Sequence, residues 1–350
     1  MLLKKKALRR GQGISSYWQS CGNILSQLPT DFCRKELFMK HSLPSHRPPN
    51  PFHQGNRPKR PPNIPKKFRW VLILILIVLL GILAYRIYQK AHSSSDEGPV
   101  SVTVVDGLEV FFVDVGQADS ALITCGDETM LIDGGNVGDG QKIYSLLRER
   151  NIETLNYLVC THAHEDHVGG LASALTACTA EVVFCPVTDY NSNAFRNFAE
   201  RAGEITVPEV GYTFSLGEAT AQILACDPNA ENTNNTSIVL KLTYGETSFL
   251  FTGDAETPVE QTILNSGYDP SAHVLKVGHH GSSSSTSYRF LNEVMPQYAI
   301  ISVGEDNSYG HPHDEVLSRL RDADVTVYRT DSDGDIVCVS DGKKVTFTQP

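Results

Sequence analysis

The histidines of this chain are clustered, and any fold it adopts has to place these clusters. Eight of the twelve histidines follow residue 100, and seven of these eight lie within three short segments, at 162–167, 279–280 and 311–313. Random placement would rarely produce this pattern. Because imidazole serves in proteins as a metal ligand and as an acid or base, the clustering predicts a metal or catalytic site.

The first cluster follows an apolar strand at 157–160. The next residues present His162, His164, Asp166 and His167 before a helix that begins with glycine. Residues two apart on an extended strand end point the same way, so His162 and His164 are expected to hold one ion. Asp166 and His167 lie in the turn into the helix and are expected to reach a second ion. Imidazole with carboxylate suits Zn²⁺, Mn²⁺ or Fe²⁺ and does not suit Ca²⁺; a polar loop with capping histidines is the alternative.

Apolar runs alternate with amphipathic stretches from residue 100 onward. Thirteen strand segments between 108 and 348 and six helices between 140 and 322, including helices at 288–294 and 314–322, are predicted from this pattern. Strands that come first as hairpins and then alternate with helices indicate an α/β layered domain with mixed sheets. The segment 331–335 (DSDGD) lacks the glutamate that a calcium loop needs at its end and is predicted to be a hairpin turn.

The charge is divided unevenly along the chain. Residues 1–69 carry 15 Lys and Arg against two acids, whereas residues 91–350 carry 13 Lys and Arg against 38 acids. A single uniform domain does not fit this division. The excess of acids also disfavours a long, sequence-nonspecific nucleic-acid groove in the second part, because phosphate binding requires clustered Lys and Arg.

An apolar run at 70–85 separates the two parts. With Arg86 extended toward the membrane surface, residues 70–88 reach the length of a transmembrane helix. The basic residues before it place the N-terminus in the cytoplasm and the rest outside the cell. The predicted organisation is a disordered basic cytoplasmic arm (1–69), a transmembrane helix (70–88), a linker and first strand (89–106) and a catalytic domain (107–350) attached to the cell membrane.

Eight cysteines are present, and no two of them form a C-x-x-C pair. This absence argues against a zinc ribbon, a thioredoxin-type site and a dense disulfide scaffold. The cysteines are therefore predicted to be small buried side chains. One disulfide, between Cys178 and Cys185, is the alternative for an exported domain.

Several motifs, taken in order, resemble those of metallo-β-lactamase-fold hydrolases. They are LIDGG (131–135), HAHEDH (162–167), FTGD (251–254) and KVGHHGS (276–282). VDVGQADS (113–120), NNTSIVL (234–240), ISVGEDNSYGHP (301–312) and RTDSDGDI (329–336) are more narrowly similar to the extracellular domain of ComEC-type DNA-uptake proteins and their stand-alone relatives. The resemblance implies an αββα sandwich of two mixed sheets flanked by helices.

The resemblance also implies roles for individual residues. It assigns His162 and His164 to metal one, Asp166 and His167 to metal two, and Asp254 to both ions. Either His279 or His280 completes metal two, since neighbours on an extended segment point oppositely. The remaining implied roles are support of the ligands by Asp133 and Asp114, catalysis by Asp166, His280 and His311, and substrate binding by Asn234, Asn235, Ser237, Ser282, Ser283 and His311.

Two departures from the wider family stand out. Ordinary metallo-β-lactamases have a further histidine between the first cluster and the bridging aspartate, but here none occurs between His167 and His273. The position on metal one is then left open, or is filled by an asparagine carbonyl or water, which argues against lactam hydrolysis and favours Mn²⁺ over Zn²⁺. Ala118 also replaces the usual glycine of the DVGQGD turn.

The predicted function is that of a membrane-anchored, extracytoplasmic metal-dependent hydrolase. Two divalent ions, Zn²⁺ or Mn²⁺, would supply a bridging hydroxide that attacks a phosphodiester, and the resemblance implies DNA as the substrate. Two alternatives remain open: hydrolysis of phosphodiesters in cell-envelope polymers, and a non-catalytic metal-binding module tethered to the membrane.

Overall fold

The computed structural model describes residues 78–81 and 107–348. The chain divides into two units, 1–93 and 94–350, and the described residues of the first are helical. No helix within the described ranges is long and apolar enough to cross a membrane. The predicted transmembrane segment lies outside these ranges except for residues 78–81, and so do the predicted basic arm and linker.

Fourteen strands form two sheets in the described part of the chain. They are Leu108–Phe112 (β1), Ala121–Cys125 (β2), Glu128–Ile132 (β3), Thr154–Val159 (β4), Thr179–Phe184 (β5), Thr213–Leu216 (β6), Ala219–Ala225 (β7), Val239–Tyr244 (β8), Thr247–Phe251 (β9), Val274–Lys276 (β10), Tyr298–Ile301 (β11), Thr326–Arg329 (β12), Ile336–Ser340 (β13) and Val345–Thr348 (β14). The first sheet has the order β14-β13-β1-β2-β3-β4-β5, and the second has the order β12-β11-β10-β9-β8-β7-β6.

Both sheets are mixed, as predicted. In the first, β13, β1, β2 and β3 pair antiparallel with their neighbours, and β3, β4 and β5 run parallel. In the second, β6 to β9 form an antiparallel meander, and β9 to β12 run parallel. Each sheet thus begins with hairpins and continues with crossover connections, which need intervening helices.

Helices cover the outer face of each sheet. In chain order they are Gly140–Glu149 (α1), Glu165–Val168 (α2), Leu171–Ala177 (α3), Asn193–Ala202 (α4), Thr257–Ser266 (α5), Tyr288–Val294 (α6), Asp314–Asp322 (α7) and Thr330–Asp333 (α8). One apolar core, which includes Phe112, Phe249 and Phe251, lies between the sheets. Two further cores lie between the sheets and their helices. The predicted αββα sandwich is confirmed.

Two local predictions differ from the structure. The edge strand β6 was not predicted, because only Phe214 and Leu216 of its four residues are apolar and buried. The hairpin turn predicted at 331–335 is wrong: residues 330–333 form the short helix α8, which connects β12 of the second sheet with β13 of the first. A hairpin turn joins two strands that pair with each other, but β12 and β13 belong to different sheets. The local sequence does not show which sheet each strand joins.

The cysteines of the described region are free thiols. Cys125, Cys160, Cys178, Cys185 and Cys338 are buried, which confirms that most of them act as small core side chains. The alternative disulfide between Cys178 and Cys185 is not formed.

The parallel strands all end at one edge of the sandwich. The segments that follow β3, β4, β9, β10 and β11 contain, respectively, residues 133–135, 161–167, 252–254, 278–281 and 302–313. Loops at the carboxyl ends of parallel strands commonly build binding sites, because the ends of neighbouring strands meet there. The histidine clusters therefore reach one place from distant parts of the sequence.

Candidate metal centre

Asp254 lies at the middle of the site, in the turn after β9. It is 2% exposed, and its two carboxylate oxygens face different pairs of histidines. Oδ1 lies 3.3 Å from Nε2 of His167 and 3.7 Å from Nε2 of His280. Oδ2 lies 3.7 Å from Nε2 of His162 and 3.7 Å from Nε2 of His279. A carboxylate in this position can bridge two cations.

Two groups of side chains in the described ranges share this aspartate. In each group, one candidate ligand atom per residue lies within 4.8 Å of all the others: Asp166, His167, Asp254 and His280 in one, and His162, His164 and Asp254 in the other. Nitrogen and carboxylate oxygen are ligands that Zn²⁺, Mn²⁺ and Fe²⁺ accept. The two groups correspond to the predicted sites for metal two and metal one.

Unpaired atoms at the centre of the site fit a bound ion. Nε2 of His167 and Oδ1 of Asp254 are buried and have no hydrogen-bond partner among the described residues, although they face each other. A buried polar atom without a partner costs about 1–3 kcal/mol. A divalent cation bound between these two atoms would satisfy both, so the residues present suit a metal centre.

The charges around the site also favour a cation. Burial lowers the pKa of His280, but the carboxylates of Asp254 and Asp119 outweigh burial and raise that pKa to about 10. Burial raises the pKa of Asp166, but the adjacent imidazoles of His167 and His280 lower it to about 2. The carboxylates therefore remain ionised, and without metal the site holds protons in place of the positive charge that an ion would supply.

The pKa of His162, a candidate ligand of metal one, shifts in the opposite direction from that of His280. Burial is the main cause that lowers the pKa of His162 well below its usual value, and the neighbouring His167 adds to it. A neutral imidazole has a free nitrogen lone pair, which is the form that binds metal. His162 is therefore a ready ligand over the physiological pH range.

Asp133 holds His167 in place, as the resemblance implied. Its Oδ2 lies 2.9 Å from Nδ1 of His167, and its carboxylate also accepts hydrogen bonds from the backbone N–H and the hydroxyl of Thr161. Asp133 has a φ of 58°, a left-handed conformation that non-glycine residues adopt at some cost. This conformation directs the carboxylate toward the loop 161–167, which we call the histidine loop. Because Asp133 binds Nδ1 of His167, Nε2 of His167 faces Asp254.

Close backbone packing keeps the histidine loop against this turn. A Cβ at Gly170 would lie 2.0 Å from the carbonyl oxygen of Gly134, and one at Gly169 would lie 2.3 Å from the backbone nitrogen of Val137. Glycine is therefore required at both positions, which explains the GG that follows the first histidine cluster.

Replacing Asp133 by asparagine should weaken metal binding by about 10–100-fold, because a neutral amide supports the ligand imidazole less strongly than a carboxylate does. The measurement is competitive titration of the apo chain with a metal indicator. Asp139→Asn is a matched control, since Asp139 accepts hydrogen bonds from Asn136 and forms no hydrogen bond or ion pair with a histidine among the described residues. Equal affinity of both variants would contradict the assigned role of Asp133.

A second carboxylate, missed by the sequence analysis, lies beside His280, whose Nδ1 is 3.0 Å from the carbonyl oxygen of Ser302. Oδ1 of Asp119 lies 3.2 Å from Nδ1 of His280, and Oδ2 of Asp119 forms a 2.7 Å ion pair with Nζ of Lys276. Lys276 and Asp119 are both almost fully buried. A lysine that ends an otherwise apolar strand was the available signal, because a buried lysine requires a partner.

The resemblance implied that Asp114 supports a ligand histidine. In the structure Asp114 lies in the loop between β1 and β2 and contacts other groups. Its carboxylate accepts a hydrogen bond from the backbone N–H of Gly116, and its own N–H donates to Asp335. No contact between Asp114 and a ligand histidine is found within the described residues. The carboxylate that reaches a ligand from this segment is that of Asp119.

The structure distinguishes His279 from His280. Both have left-handed backbones, with φ of 50° and 52°, so the expectation of an extended segment with opposite side chains is wrong. Tight turning directs both rings to the site, but only His280 belongs to a ligand group. Nδ1 of His279 lies 3.6 Å from Oε1 of Glu256 and 3.3 Å from the hydroxyl of Ser284. His279 is a quarter exposed and lines the cleft next to the ligand groups.

A cleft of about 540 Å³ opens above the ligand groups. Among the described residues that line it, none is Lys or Arg; the lining consists of Gln117, Asn136, His164, Glu165, Asp166, Asn234, Asp254, His279, His280, Tyr309 and His311. The positive charge that an anionic substrate needs would therefore come from bound ions rather than from basic side chains.

Two of the predicted substrate-binding residues line this cleft. Oδ1 of Asn234 is buried without a hydrogen-bond partner within the described ranges, so this carbonyl is free to bind a ligand. His311 lies 3.3 Å from Nε2 of Gln117. Burial, followed by the nearby rings of His279 and His280, lowers the pKa of His311 to about 4. His311 is therefore neutral at pH 7.

The other four predicted substrate-binding residues are engaged in local structure. Asn235 binds the backbone N–H of Glu256 through Oδ1. The hydroxyl of Ser237 accepts from the backbone N–H of Asp254. Ser282 is buried with its hydroxyl 3.1 Å from that of Ser284, and the N–H of Ser283 donates to Nδ1 of His313. These residues shape the loops around the cleft rather than lining it.

The comparison with protein families agrees with the fold and the ligand groups. Residues 113–305, more than half of the chain, match the Metallo-beta-lactamase superfamily. The chain belongs to the metallo-β-lactamase superfamily. Members of this superfamily are generally metal-dependent hydrolases, and the family predicted from the sequence is thereby confirmed.

Curated relatives include a ComE operon protein and a competence protein. The chain is similar to ComE operon protein 3 of Bacillus subtilis, with 32% identity over 252 residues that cover 65% of this chain and 32% of the relative. It is also similar to competence protein ComA of Neisseria gonorrhoeae, with 30% identity over 261 residues that cover 74% and 34% of the two chains. This metallo-β-lactamase superfamily member thus spans about a third of the length of these relatives.

The chain is also similar to solved structures. The crystal structure of the metallo-beta-lactamase fold protein YhfI from Bacillus subtilis aligns with a TM-score of 0.44 and 13% identity, covering 64% of this chain and 96% of that chain.

Proposed function

We propose that this metallo-β-lactamase superfamily member is a membrane-anchored, extracytoplasmic phosphodiesterase that acts on nucleic acid. The observation that carries the proposal is the position of Asp254, whose two oxygens join two ligand groups at the floor of an open cleft. Paired divalent ions supply such a site with a nucleophile at neutral pH and with positive charge for phosphoryl oxygens.

The chain's own residues hold and shape the site. Asp133 fixes the ring of His167 by binding its Nδ1. The carbonyl oxygen of Ser302 binds Nδ1 of His280, with Asp119 beside it, so that both Nε2 atoms point inward. The neutral ring of His311 and the side chain of His279 lie at the open side, where they can contact a bound phosphodiester. Asn234 offers an unpaired carbonyl oxygen in the lining of the same cleft.

The resemblance to DNA-uptake proteins, together with the name of one relative, supports nucleic acid as the substrate. The relative from Neisseria gonorrhoeae is named competence protein ComA. The apolar run at 70–85 and the basic residues before it support a membrane anchor with the catalytic domain outside the cytoplasm.

The test is hydrolysis by the purified full chain, loaded with Zn²⁺ or Mn²⁺. Cleavage of bis-p-nitrophenyl phosphate together with plasmid DNA or polyuridine supports the proposal. Cleavage of the small diester alone indicates another phosphodiester, such as one in a cell-envelope polymer. Bound metal without hydrolysis of any of these substrates contradicts the proposal and favours the non-catalytic metal-binding module. Protease accessibility of the domain on intact cells tests its location.

A further inference from the structure

An exposed aromatic ring stands at the rim of the metal cleft. Tyr309 is 68% exposed, although it lines the same cleft as the ligand groups. Its ring lies nearly parallel to that of His311, with centroids 5.6 Å apart and an interplanar angle of 22°. The ring of His311 in turn lies at 25° to that of the ligand His280, with centroids 6.4 Å apart. Three roughly parallel rings therefore lead outward from the metal centre.

The loop that carries Tyr309 is held by one side chain. Oδ1 of Asn307 accepts hydrogen bonds from the backbone N–H groups of Tyr309 and His311, at 3.2 and 3.0 Å. Nδ2 of Asn307 donates to the carbonyl oxygens of Gly304 and His311. These hydrogen bonds order the backbone that carries the ring, and His311 packs against one side of the ring. Less entropy is then lost when a planar ligand binds.

The charge of the cleft limits how a nucleic acid can be bound there. Proteins that follow a phosphate backbone do so with Lys and Arg, and the described residues that line this cleft include neither. Lys276 lies below the site but is buried and paired with Asp119. Contacts beyond the reacting phosphate must therefore come from neutral groups, of which Tyr309 offers the largest exposed aromatic surface.

We infer that Tyr309 is a stacking platform for a nucleobase next to the phosphodiester at the metal centre, so that the cleft takes single-stranded nucleic acid. This inference rests on the proposed phosphodiesterase function and names its substrate class. Bases in a duplex are already stacked on their neighbours, whereas an unpaired base has a free face. Stacking of a base on an aromatic side chain contributes about 1–3 kcal/mol.

The experiment compares two oligonucleotides on the full, Mn²⁺-loaded chain. One is a short oligodeoxythymidine with phosphorothioate linkages, and the other has the same backbone with abasic residues. Fluorescence anisotropy gives the Kd of each at about 0.3 M salt, where the basic segment 1–69 binds nucleic acid weakly. Tyr309→Ala should raise the Kd of the oligodeoxythymidine about 5–150-fold and change that of the abasic chain less than about twofold.

Two controls accompany this comparison. Tyr309→Phe keeps the ring and should bind like the unmodified chain. Tyr288→Ala removes another exposed tyrosine that lies outside the cleft lining, and it should leave both Kd values unchanged. Equal weakening of both oligonucleotides by Tyr309→Ala, or no weakening of either, overturns the inference. Hydrolysis of bis-p-nitrophenyl phosphate is measured separately, so that loss of base stacking and loss of phosphodiesterase function are distinguished.

Discussion

Replacing His280 by alanine is expected to remove one of the two ions and to lower kcat/KM for phosphodiester cleavage by about a thousandfold. His280 contributes one imidazole to the group that also contains Asp166, His167 and Asp254. Loss of a ligand opens that site, and a bound ion contributes several kcal/mol to stabilising the transition state. Each 1.36 kcal/mol corresponds to a factor of ten in rate.

His279→Ala is the matched comparison, because it removes the same side chain one residue earlier. His279 lies outside both ligand groups, with its Nδ1 beside Glu256 and Ser284. This variant is expected to keep two ions per chain, whatever its turnover. Metal content by mass spectrometry after gel filtration separates the two variants. If the His279→Ala variant loses an ion and the His280→Ala variant keeps both, then His279 rather than His280 is the ligand.

Replacing Lys276 by methionine is expected to destabilise the apo chain by about 3–5 kcal/mol. The ion pair between Lys276 and Asp119 is 2.7 Å long, and both side chains are less than a tenth exposed. Removal of Lys276 leaves Oδ2 of Asp119 buried without its cation, while Oδ1 keeps the ring of His280 at 3.2 Å. The loss of a buried partner costs more than the pair's own attraction. Urea denaturation in EDTA, followed by circular dichroism, measures the change without a contribution from bound metal.

Lys241→Met provides the comparison for this variant. Lys241 pairs with Asp269 at 2.9 Å, but the side chain of Asp269 is 71% exposed, so water screens the pair. The expected change is at most about 1 kcal/mol. A double variant, Lys276→Met with Asp119→Asn, should cost less than the sum of the single variants, because the uncompensated charge is gone. Additive effects would show that Lys276 and Asp119 do not interact.

Much of the fold could be predicted because its signals are local. The apolar run at 157–160, which precedes the polar cluster 161–167, predicts the second half of β4, and helices α6 and α7 have the predicted bounds. The ligand residues could be predicted for the same reason, since each lies in a segment that directly follows a strand. Strand β6 had too few apolar residues to be recognised, and it is placed by pairing with β7.

The parts of the site that could not be predicted depend on contacts between the sheets. Asp119 follows β1 in the first sheet, and Lys276 ends β10 in the second. Their pairing is set by how the two sheets stack, which no local pattern records. The choice between His279 and His280 depended on backbone angles, because two left-handed residues in succession break the alternation of an extended strand.

Metal content of the full chain tests the central claim most directly. Mass spectrometry on the chain after loading with Zn²⁺ or Mn²⁺ and gel filtration should find two ions per chain. Asp254→Ala, which removes the carboxylate shared by both ligand groups, should retain fewer than one. An unmodified chain that holds no ion after loading, or an Asp254→Ala chain that still holds two, would contradict a shared metal centre.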